Sequence, residues 1–241
     1  MSDTHFGDKL SDGKLIMETL DHIKTTENAY CILGGDLMDT AIASSVGDTY
    51  GANLNPMEQI RTCVRLFQPL ADSGKIIAVV PGNHERRVMK QDGLDMTEIM
   101  CAQLGIANRY SPTTAYVFLR FGVDRSKHPD TKQRYCIYVT HGSAGGKKEG
   151  GKINGLADLA QICDADIYIT GHTHLPASFR SGFYRPHATN SSAAYVDKLF
   201  VNTAAWMDYG AYADLAGFKP ASKINPVIYL DGTKKLARAL V

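Results

Sequence analysis

Short apolar runs recur along the chain, and each ends at a polar or glycine-rich motif. The runs are five or six residues long, nearly unbroken in apolarity and rich in Ile, Val and Tyr, which is typical of strands buried on both faces. They cover residues 29–33, 75–80, 135–140 and 166–170. Because open α/β sheets bind ligands at the carboxyl ends of their strands, the motifs that follow these runs mark the expected site.

Segments with helical periodicity lie between some of the runs. Apolar residues recur at helical spacing in residues 13–23, 56–71, 95–104 and 154–163. Asn55 precedes the second segment as a favourable N-cap, with Pro56 in the first turn. Strands that alternate with helices predict a layered α/β fold.

Two further patterns predict strands outside this alternation. Residues 116–122 and 134–140 flank the polar stretch 124–132, which predicts a β-hairpin. Apolar residues 199–201 and 226–230 predict strands in the last part of the chain, in a second sheet.

Composition narrows the class of protein without naming a function. The 241 residues are 44% apolar and 21% charged, which is typical of a globular chain and predicts a single domain over residues 1–241. The net charge of +1 gives no global attraction to duplex nucleic acid or to an anionic membrane. We expect no membrane partner, because no run approaches the roughly 20 apolar residues of a span. The five cysteines, without a CxxC pair, predict free thiols in a reducing, cytoplasmic compartment.

Five motifs supply side chains that bind metals, and they hold five of the eight histidines. They are Asp3-Thr4-His5, Gly35-Asp36-Leu37-Met38-Asp39, Gly82-Asn83-His84-Glu85, His141-Gly142 and Gly171-His172-Thr173-His174. Residues i and i+2 of a strand face the same side, so Asp3 with His5, and likewise His172 with His174, would each present two ligands to one spot. The mixture of carboxylate, imidazole and carboxamide suits Mn, Fe, Zn or Ni better than Mg or Ca.

The ordered set DxH, GDxxD, GNHE, H and GHTH resembles the calcineurin-like metallophosphoesterase superfamily. It runs from Asp3 to His174 with all five blocks in order. The resemblance implies a four-layer α/β/β/α sandwich with two mixed β-sheets. It also implies a phosphate-ester substrate and two divalent metal ions, with Mn²⁺ expected first and Fe, Zn or Ni as alternatives.

The same resemblance implies a role for each position of the motifs. The first metal would be held by Asp3, His5, Asp36 and His174, and the second by Asp36, Asn83, His141 and His172. His84 matches the non-ligand histidine of the family, which contacts the substrate phosphate and assists the leaving group. Asp39 would orient His84, as outer carboxylates fix imidazoles elsewhere.

The charges of this arrangement suit an anionic substrate. Two divalent ions, the carboxylates of Asp3 and Asp36, and a bridging hydroxide leave a net charge of about +1. Metal binding lowers the pKa of water to about 7, which supplies a nucleophile at neutral pH.

Two positions depart from the pattern of the family. Only Met1 and Ser2 precede DxH, where an apolar strand of about six residues is normal. We therefore expect the first strand of the central sheet to be missing or truncated, and Asp3 and His5 to be held less firmly. Thr40 follows Asp39 in place of the Arg-Gly of Ser/Thr protein phosphatases and diadenosine-tetraphosphate hydrolases, which argues against those two branches. The resemblance to the nuclease and phosphodiesterase branches is therefore preferred.

Basic residues near the motifs are candidates for substrate binding. Arg86 and Arg87 directly follow GNHE, where a guanidinium can brace a phosphate oxygen, although an ordinary surface charge explains them as well. Lys147 lies in a stretch with five glycines in residues 142–151, which predicts either a basic loop that grips phosphates or a solvated turn. The stretch is not a P-loop, since Ile153 replaces the required Ser or Thr.

These features lead to one main hypothesis and two alternatives. The main hypothesis is a dinuclear-metal-dependent phosphodiesterase or nuclease, acting on single-stranded or end-exposed nucleic acid or on nucleotide-derived diesters. The alternatives are a phosphomonoesterase and a metal-binding scaffold without turnover. The oligomeric state is not predicted from the sequence.

Overall fold

The computed structural model describes residues 1–41, 52–121, 133–143, 146–210, 212–215 and 217–241. Its helices are α1 (Gly13–Thr25), α2 (Pro56–Asp72), α3 (Asn83–Asp92), α4 (Met96–Gln103), α5 (Glu149–Asp158) and α6 (Tyr212–Leu215). Its strands are β1 (Cys31–Leu33), β2 (Ile76–Val79), β3 (Thr114–Arg120), β4 (Arg134–Thr140), β5 (Ile167–Thr170), β6 (Ala177–His187), β7 (Ser192–Asn202), β8 (Val227–Leu230) and β9 (Ala237–Leu240).

The described strands form one large and two small sheets. The large sheet has the order β3-β4-β5-β7-β6 and is mixed, since β4, β5 and β7 are parallel while the edge strands β3 and β6 are antiparallel. Strands β1 and β2 form a parallel pair, and β8 and β9 form an antiparallel pair. The predicted hairpin is confirmed as β3–β4, while its connection over residues 122–132 lies outside the described residues.

Three apolar clusters separate four layers of secondary structure. The first cluster packs α1, α2 and α4 against one face of β1–β2, where Cys31 and Leu33 point. The second fills the space between β1–β2 and the large sheet, and Ile32 points into it from the opposite face of β1. The third packs Leu156 of α5 against Tyr168 and Phe200 on the far face of the large sheet. The α/β fold class predicted from the sequence is therefore confirmed.

Local signals place most helix boundaries. Asn55 and Glu58 form a reciprocal capping box at the start of α2, with Pro56 in the first turn. Asp12 and Asp95 cap α1 and α4 in the same way, by accepting a backbone N–H with the side chain. The fourth predicted helix begins at Glu149, earlier than expected, and α3 and β6 were not predicted.

The first residues of the chain lie alongside β1 and the loop that follows it. The terminal amino group of Met1 donates to Ile32 O (2.7 Å), and the backbone N–H of Asp3 donates to Gly35 O (2.9 Å). Asp3 and His5, which were expected to be held less firmly, are buried, and the backbone N–H of His5 donates to Asp36 O (3.1 Å). The missing or truncated first strand stays a prediction. None of the helices described here is long and apolar enough to cross a bilayer. The single-domain assignment stays a prediction.

Candidate metal centre

The predicted ligands converge where several strands end. His141 directly follows β4, and His172 lies two residues beyond β5. Asp36 lies in the loop after β1, and Asn83 opens α3 after β2. Chain topology therefore delivers these side chains to one edge of the molecule, as expected for the carboxyl ends of parallel strands.

The backbone at the motifs is left-handed, which corrects one prediction. Asp3 and His5 were expected to face the same side of a strand, and so were His172 and His174, but neither pair lies in a strand. Positive φ angles occur at Asp3 (56°), His5 (46°), Asp36 (49°), Thr40 (42°), His172 (66°) and His174 (55°). Such conformations cost non-glycine residues roughly 1–2 kcal/mol each and persist where the surrounding structure imposes them, often at functional sites.

The first ligand group consists of Asp3, His5 and His174. One ligand atom from each lies within 4.8 Å of the others. His174 Nε2 is 3.3 Å from Asp3 Oδ1 and 3.4 Å from His5 Nε2. His5 Nδ1 is buried without a hydrogen-bond partner in the described part of the chain. Two imidazoles and a carboxylate, with a buried nitrogen left over, fit a transition-metal ion.

The second ligand group consists of Asp36, His141 and His172, again within 4.8 Å. His141 Nε2 is 3.0 Å from Asp36 Oδ2 and 3.1 Å from Asn83 Oδ1. His141 Nδ1 lies 2.8 Å from Gly34 O, and because a carbonyl only accepts, Nδ1 carries the proton and Nε2 faces the group. His172 and His174 thus serve different groups, so the expectation that they meet at one spot is wrong.

His84 and Asp39 contact each other beside both ligand groups. His84 Nδ1 is 2.7 Å from Asp39 O and 3.3 Å from Asp39 Oδ1, so both backbone and carboxylate orient the ring. His84 Nε2 is 3.8 Å from Asp36 Oδ2. The side chain of His84 is 18% exposed whereas that of Asp36 is 2% exposed, which leaves the imidazole accessible beside a buried carboxylate. His5, Asp39 and His84 also offer ligand atoms within 4.8 Å of one another.

Opposite charges dominate the pKa values of the second group. Burial alone would raise the pKa of Asp36, but the His141 imidazole holds it well below its usual range. Burial would lower the pKa of His141, but Asp36 and Asp3 raise it to about 9. Without metal, the carboxylate of Asp36 is therefore charged and His141 carries a proton at neutral pH.

The other imidazoles divide according to their neighbours. Burial, reinforced by His84, lowers the pKa of His5. Burial, reinforced by His141, lowers the pKa of His172. The pKa of His84 is raised in spite of burial, because Asp39 stabilises the protonated ring. His84 is consequently the group best placed to carry a proton at the accessible side of the centre.

Glu85 is a residue of the site to which sequence reasoning gave no role. Its buried carboxylate accepts the backbone N–H groups of Asp36 (3.1 Å), Leu37 (2.6 Å), Met38 (3.0 Å) and Gly82 (2.8 Å). It thereby joins the loop after β1 to the start of α3. The two loops are so close that a Cβ on Gly35 would overlap Gly82. A glutamate three residues after a helix N-cap was the available signal.

Other side chains hold Asp3 and the GHTH loop in place. The Asp3 carboxylate accepts from the Ser2 hydroxyl and, at 3.1 Å, from the backbone N–H of His172. Asn202 Nδ2 donates to Thr173 Oγ1 (2.6 Å), and Lys152 Nζ donates to Thr173 O (2.7 Å).

The predicted substrate-binding residues have three different environments. Arg86 Nη2 donates to Pro112 O (3.2 Å) and Thr113 O (3.3 Å), so its guanidinium contacts backbone. Arg87 Nη1 is buried and has no hydrogen-bond partner among the residues described. Lys147 Nζ lies 5.6 Å from the centre of the Phe218 ring. Of the three, Arg87 is the one with an unused buried donor.

Comparison with known proteins assigns the family. The family model of the calcineurin-like phosphoesterases matches residues 1–176. Comparison with curated proteins gives no significant match.

Solved structures of low similarity cover the whole chain. A single mutant of Vps29 from Entamoeba histolytica is 14% identical with a TM-score of 0.45, and covers 100% of this chain and 96% of its own. The wild-type Vps29 of the same organism, complexed with Zn²⁺, is 12% identical with a TM-score of 0.46. The match covers 99% of this chain and 95% of the Vps29 chain. A predicted phosphoesterase from Streptococcus pneumoniae TIGR4 is 16% identical with a TM-score of 0.35 and covers 100% and 94%.

The match over residues 1–176 includes every predicted ligand, from Asp3 to His174. With its motifs gathered into two adjoining ligand groups, the chain belongs to the calcineurin-like phosphoesterase family and is a metal-dependent phosphoesterase.

Proposed function

We propose that the protein hydrolyses phosphodiesters of nucleic acids or nucleotides at a centre of two divalent metal ions, with Mn²⁺ as the first candidate. The observation that carries this proposal is the pairing of two ligand groups, Asp3-His5-His174 and Asp36-His141-His172, with a partly exposed His84 beside them. The first ion is assigned to Asp3, His5, Asp36 and His174, and the second to Asp36, Asn83, His141 and His172. When bound, such a pair of ions supplies a hydroxide nucleophile at neutral pH and positive charge for the phosphate.

The residues of the chain have separate tasks in this proposal. Asp39 fixes the His84 ring with Nδ1–H held by a carbonyl, which leaves Nε2 facing the substrate side. A proton on Nε2 neutralises the developing charge on the leaving oxygen, and the raised pKa of His84 favours that protonated form. Asp36 Oδ2 lies 3.8 Å from the same Nε2, and its negative charge stabilises the imidazolium.

Arg87 favours a substrate with a single phosphate charge. Its charge acts on the pKa of His84, and its Nη1 has no hydrogen-bond partner among the described residues, whereas Arg86 contacts two backbone carbonyls. A diester has one negative charge, which a single guanidinium close to His84 is sufficient to complement. The proposed location is the cytoplasm, in keeping with five thiols that are all unpaired.

A substrate and metal panel tests the proposal. Purified protein is stripped of metal, reloaded with Mn²⁺, Zn²⁺, Ni²⁺, Fe²⁺, Mg²⁺ or Ca²⁺, and assayed with bis-p-nitrophenyl phosphate, p-nitrophenyl phosphate, single-stranded DNA and cyclic nucleotides. We expect diester hydrolysis with Mn²⁺ and little with Mg²⁺ or Ca²⁺. Activity confined to the monoester would identify a phosphomonoesterase instead, and inactivity with every metal would identify a binding scaffold.

A further inference from the structure

The edge strand β3 exposes two aromatic rings on one face. Tyr116 and Phe118 are 49% and 73% exposed, although large apolar rings usually avoid water. Ala115 and Val117 point the opposite way, into the core between the sheets, as the twofold repeat of a strand requires. The rings therefore lie on the outer face of the large sheet.

Two arginines extend this face, and no acidic partner of either is found among the described residues. Arg120 follows Phe118 on the same side of β3, and Arg134 of β4 is its direct cross-strand partner. Like charges at directly opposite positions destabilise a sheet. Within the described ranges, neither guanidinium has an ion-pair or hydrogen-bond partner. This pair therefore has unused capacity to bind an anion.

The neighbouring acidic residues are already neutralised. Asp164 pairs with Arg185 at 2.6 Å and with Lys198 at 2.8 Å. Asp166 pairs with Lys235 at 2.7 Å. Asp164, Arg185, Asp166 and Lys235 line a hollow of about 430 Å³ together with Phe118, Arg120 and Arg134. A volume in this range is adequate for a base or a nucleotide.

We propose that the aromatic–arginine patch, which we define as Tyr116, Phe118, Arg120 and Arg134, binds single-stranded nucleic acid. A base stacks on the exposed face of Phe118, and phosphates bind the two guanidiniums. Duplex fits less well because its bases are already stacked on one another and are not free to cover Phe118. The chain's net charge of +1 means that affinity comes from this local cluster.

The patch is separate from the metal centre. Arg134 begins β4 and His141 follows its end, so the two are about 23 Å apart at 3.3 Å per residue. Binding at the patch needs no hydrolysis, and a chain that cleaves no diester is still expected to bind there. Failure of this inference is therefore distinguishable from failure of the proposed function.

Fluorescence anisotropy with labelled dT12 tests the patch. The metal-loaded full chain carries His84→Asn, so that the probe stays intact, and a gel confirms the probe's length. We expect Phe118→Ala to weaken binding about tenfold, the effect of losing one stacked base, and Phe118→Trp to preserve it. Replacing both Arg120 and Arg134 with Gln should lower the slope of log K against log salt by roughly 1.4.

Matched variants control for charge and for ring loss. Arg61→Gln with Arg65→Gln removes two exposed arginines from α2, and Tyr184→Ala removes an exposed ring from β6; both should leave binding unchanged. Thermal melts confirm that every variant is folded. The proposal is overturned if the parent does not bind dT12, if the patch variants bind like the controls, or if duplex or poly-glutamate binds as tightly as dT12.

Discussion

Glu85 Oε2 lies 3.1 Å from the backbone N of Asp36 and accepts its hydrogen bond. The buried carboxylate of Glu85 therefore fixes the backbone of Asp36, whose own carboxylate is also buried. Glu85 Oε1 accepts from the next two N–H groups, and Oε2 also accepts from Gly82. Burial, with the charge of Asp36 nearby, raises the pKa of Glu85. The position of Asp36 thus depends on a charge that is costly to bury unless all four donors are present.

We expect Glu85→Gln to destabilise the protein and to weaken metal binding. The amide keeps one acceptor but turns its NH₂ group toward backbone donors, which leaves buried groups unsatisfied at a cost of roughly 3 kcal/mol. Urea unfolding of the metal-free protein measures the stability, and calorimetric titration with Mn²⁺ measures the affinity. Raising the Mn²⁺ concentration should restore much of the lost rate, because the catalytic groups remain in place.

Glu58→Gln is a matched control for this change. Glu58 is also three residues after a helix N-cap and accepts a single backbone N–H, from Asn55, at an exposed position. It should cost less than about 1 kcal/mol and leave metal affinity unchanged. Equal effects of the two substitutions, or an unchanged Mn²⁺ affinity in Glu85→Gln, would contradict the role assigned to Glu85.

Strand and helix periodicity predicted much of the scaffold but not all of it. The register of β3–β4 and the capped start of α2 depend on local alternation and on residues such as Asn55, which act over a few positions. The helix α3 escaped prediction because its first turn is the GNHE motif, whose polar residues point to the site. Similarly, β6 is half exposed at the edge of its sheet and lacks the apolar run of a buried strand.

The ligand set was predictable, but the way in which the chain presents it was not. Asp and His tolerate left-handed φ better than most residues, yet nothing local requires it at Asp3, Asp36 or His174. That conformation is imposed by long-range bonds, such as the one from the N–H of His172 to the Asp3 carboxylate. Alternation along a strand therefore grouped side chains that do lie close together, but it assumed the wrong backbone conformation. The ligand roles themselves stay predictions until metal is bound and measured.

His84→Asn should abolish turnover and leave the metals in place. Asn keeps a polar side chain but cannot deliver a proton, so we expect kcat to fall about 10²- to 10⁴-fold. Elemental analysis should still find two metal ions for each chain. His22→Asn, on the exposed face of α1, is the matched control and should retain full activity. If the variant loses metal together with activity, His84 is a ligand instead. Its position within 4.8 Å of ligand atoms of His5 and Asp39 makes this outcome worth testing.

Asp36→Asn should lose both metal ions. The carboxamide can still accept the backbone N–H of His84 at the 2.8 Å contact, so the local fold is expected to persist. It removes the negative charge and one of the two oxygens that a bridging ligand requires. Elemental analysis after gel filtration checks the result, with Asp21→Asn on α1 as a control for the change in charge. Two tightly held metal ions in Asp36→Asn would refute a bridging role for Asp36.

Metal binding should release protons, and its affinity should rise with pH. His141 has its pKa raised to about 9 in the metal-free protein, so at pH 7 its imidazole is protonated, whereas a metal ion binds the neutral form. Each unit of pH between 7 and 9 should therefore increase the apparent affinity of the second metal about tenfold, with a plateau above pH 9.

Calorimetric titrations of Mn²⁺ at pH 7 in buffers of different ionisation enthalpy count the protons released. We expect close to one proton from this site at pH 7 and almost none at pH 10, with manganese kept soluble by a weak chelating buffer. A titration of His141→Gln serves as the comparison, since it should bind the second ion weakly and without this proton release. An affinity that is constant from pH 7 to 9 would mean that His141 is neutral before metal binds. The Asp36 carboxylate would then not raise the pKa of His141.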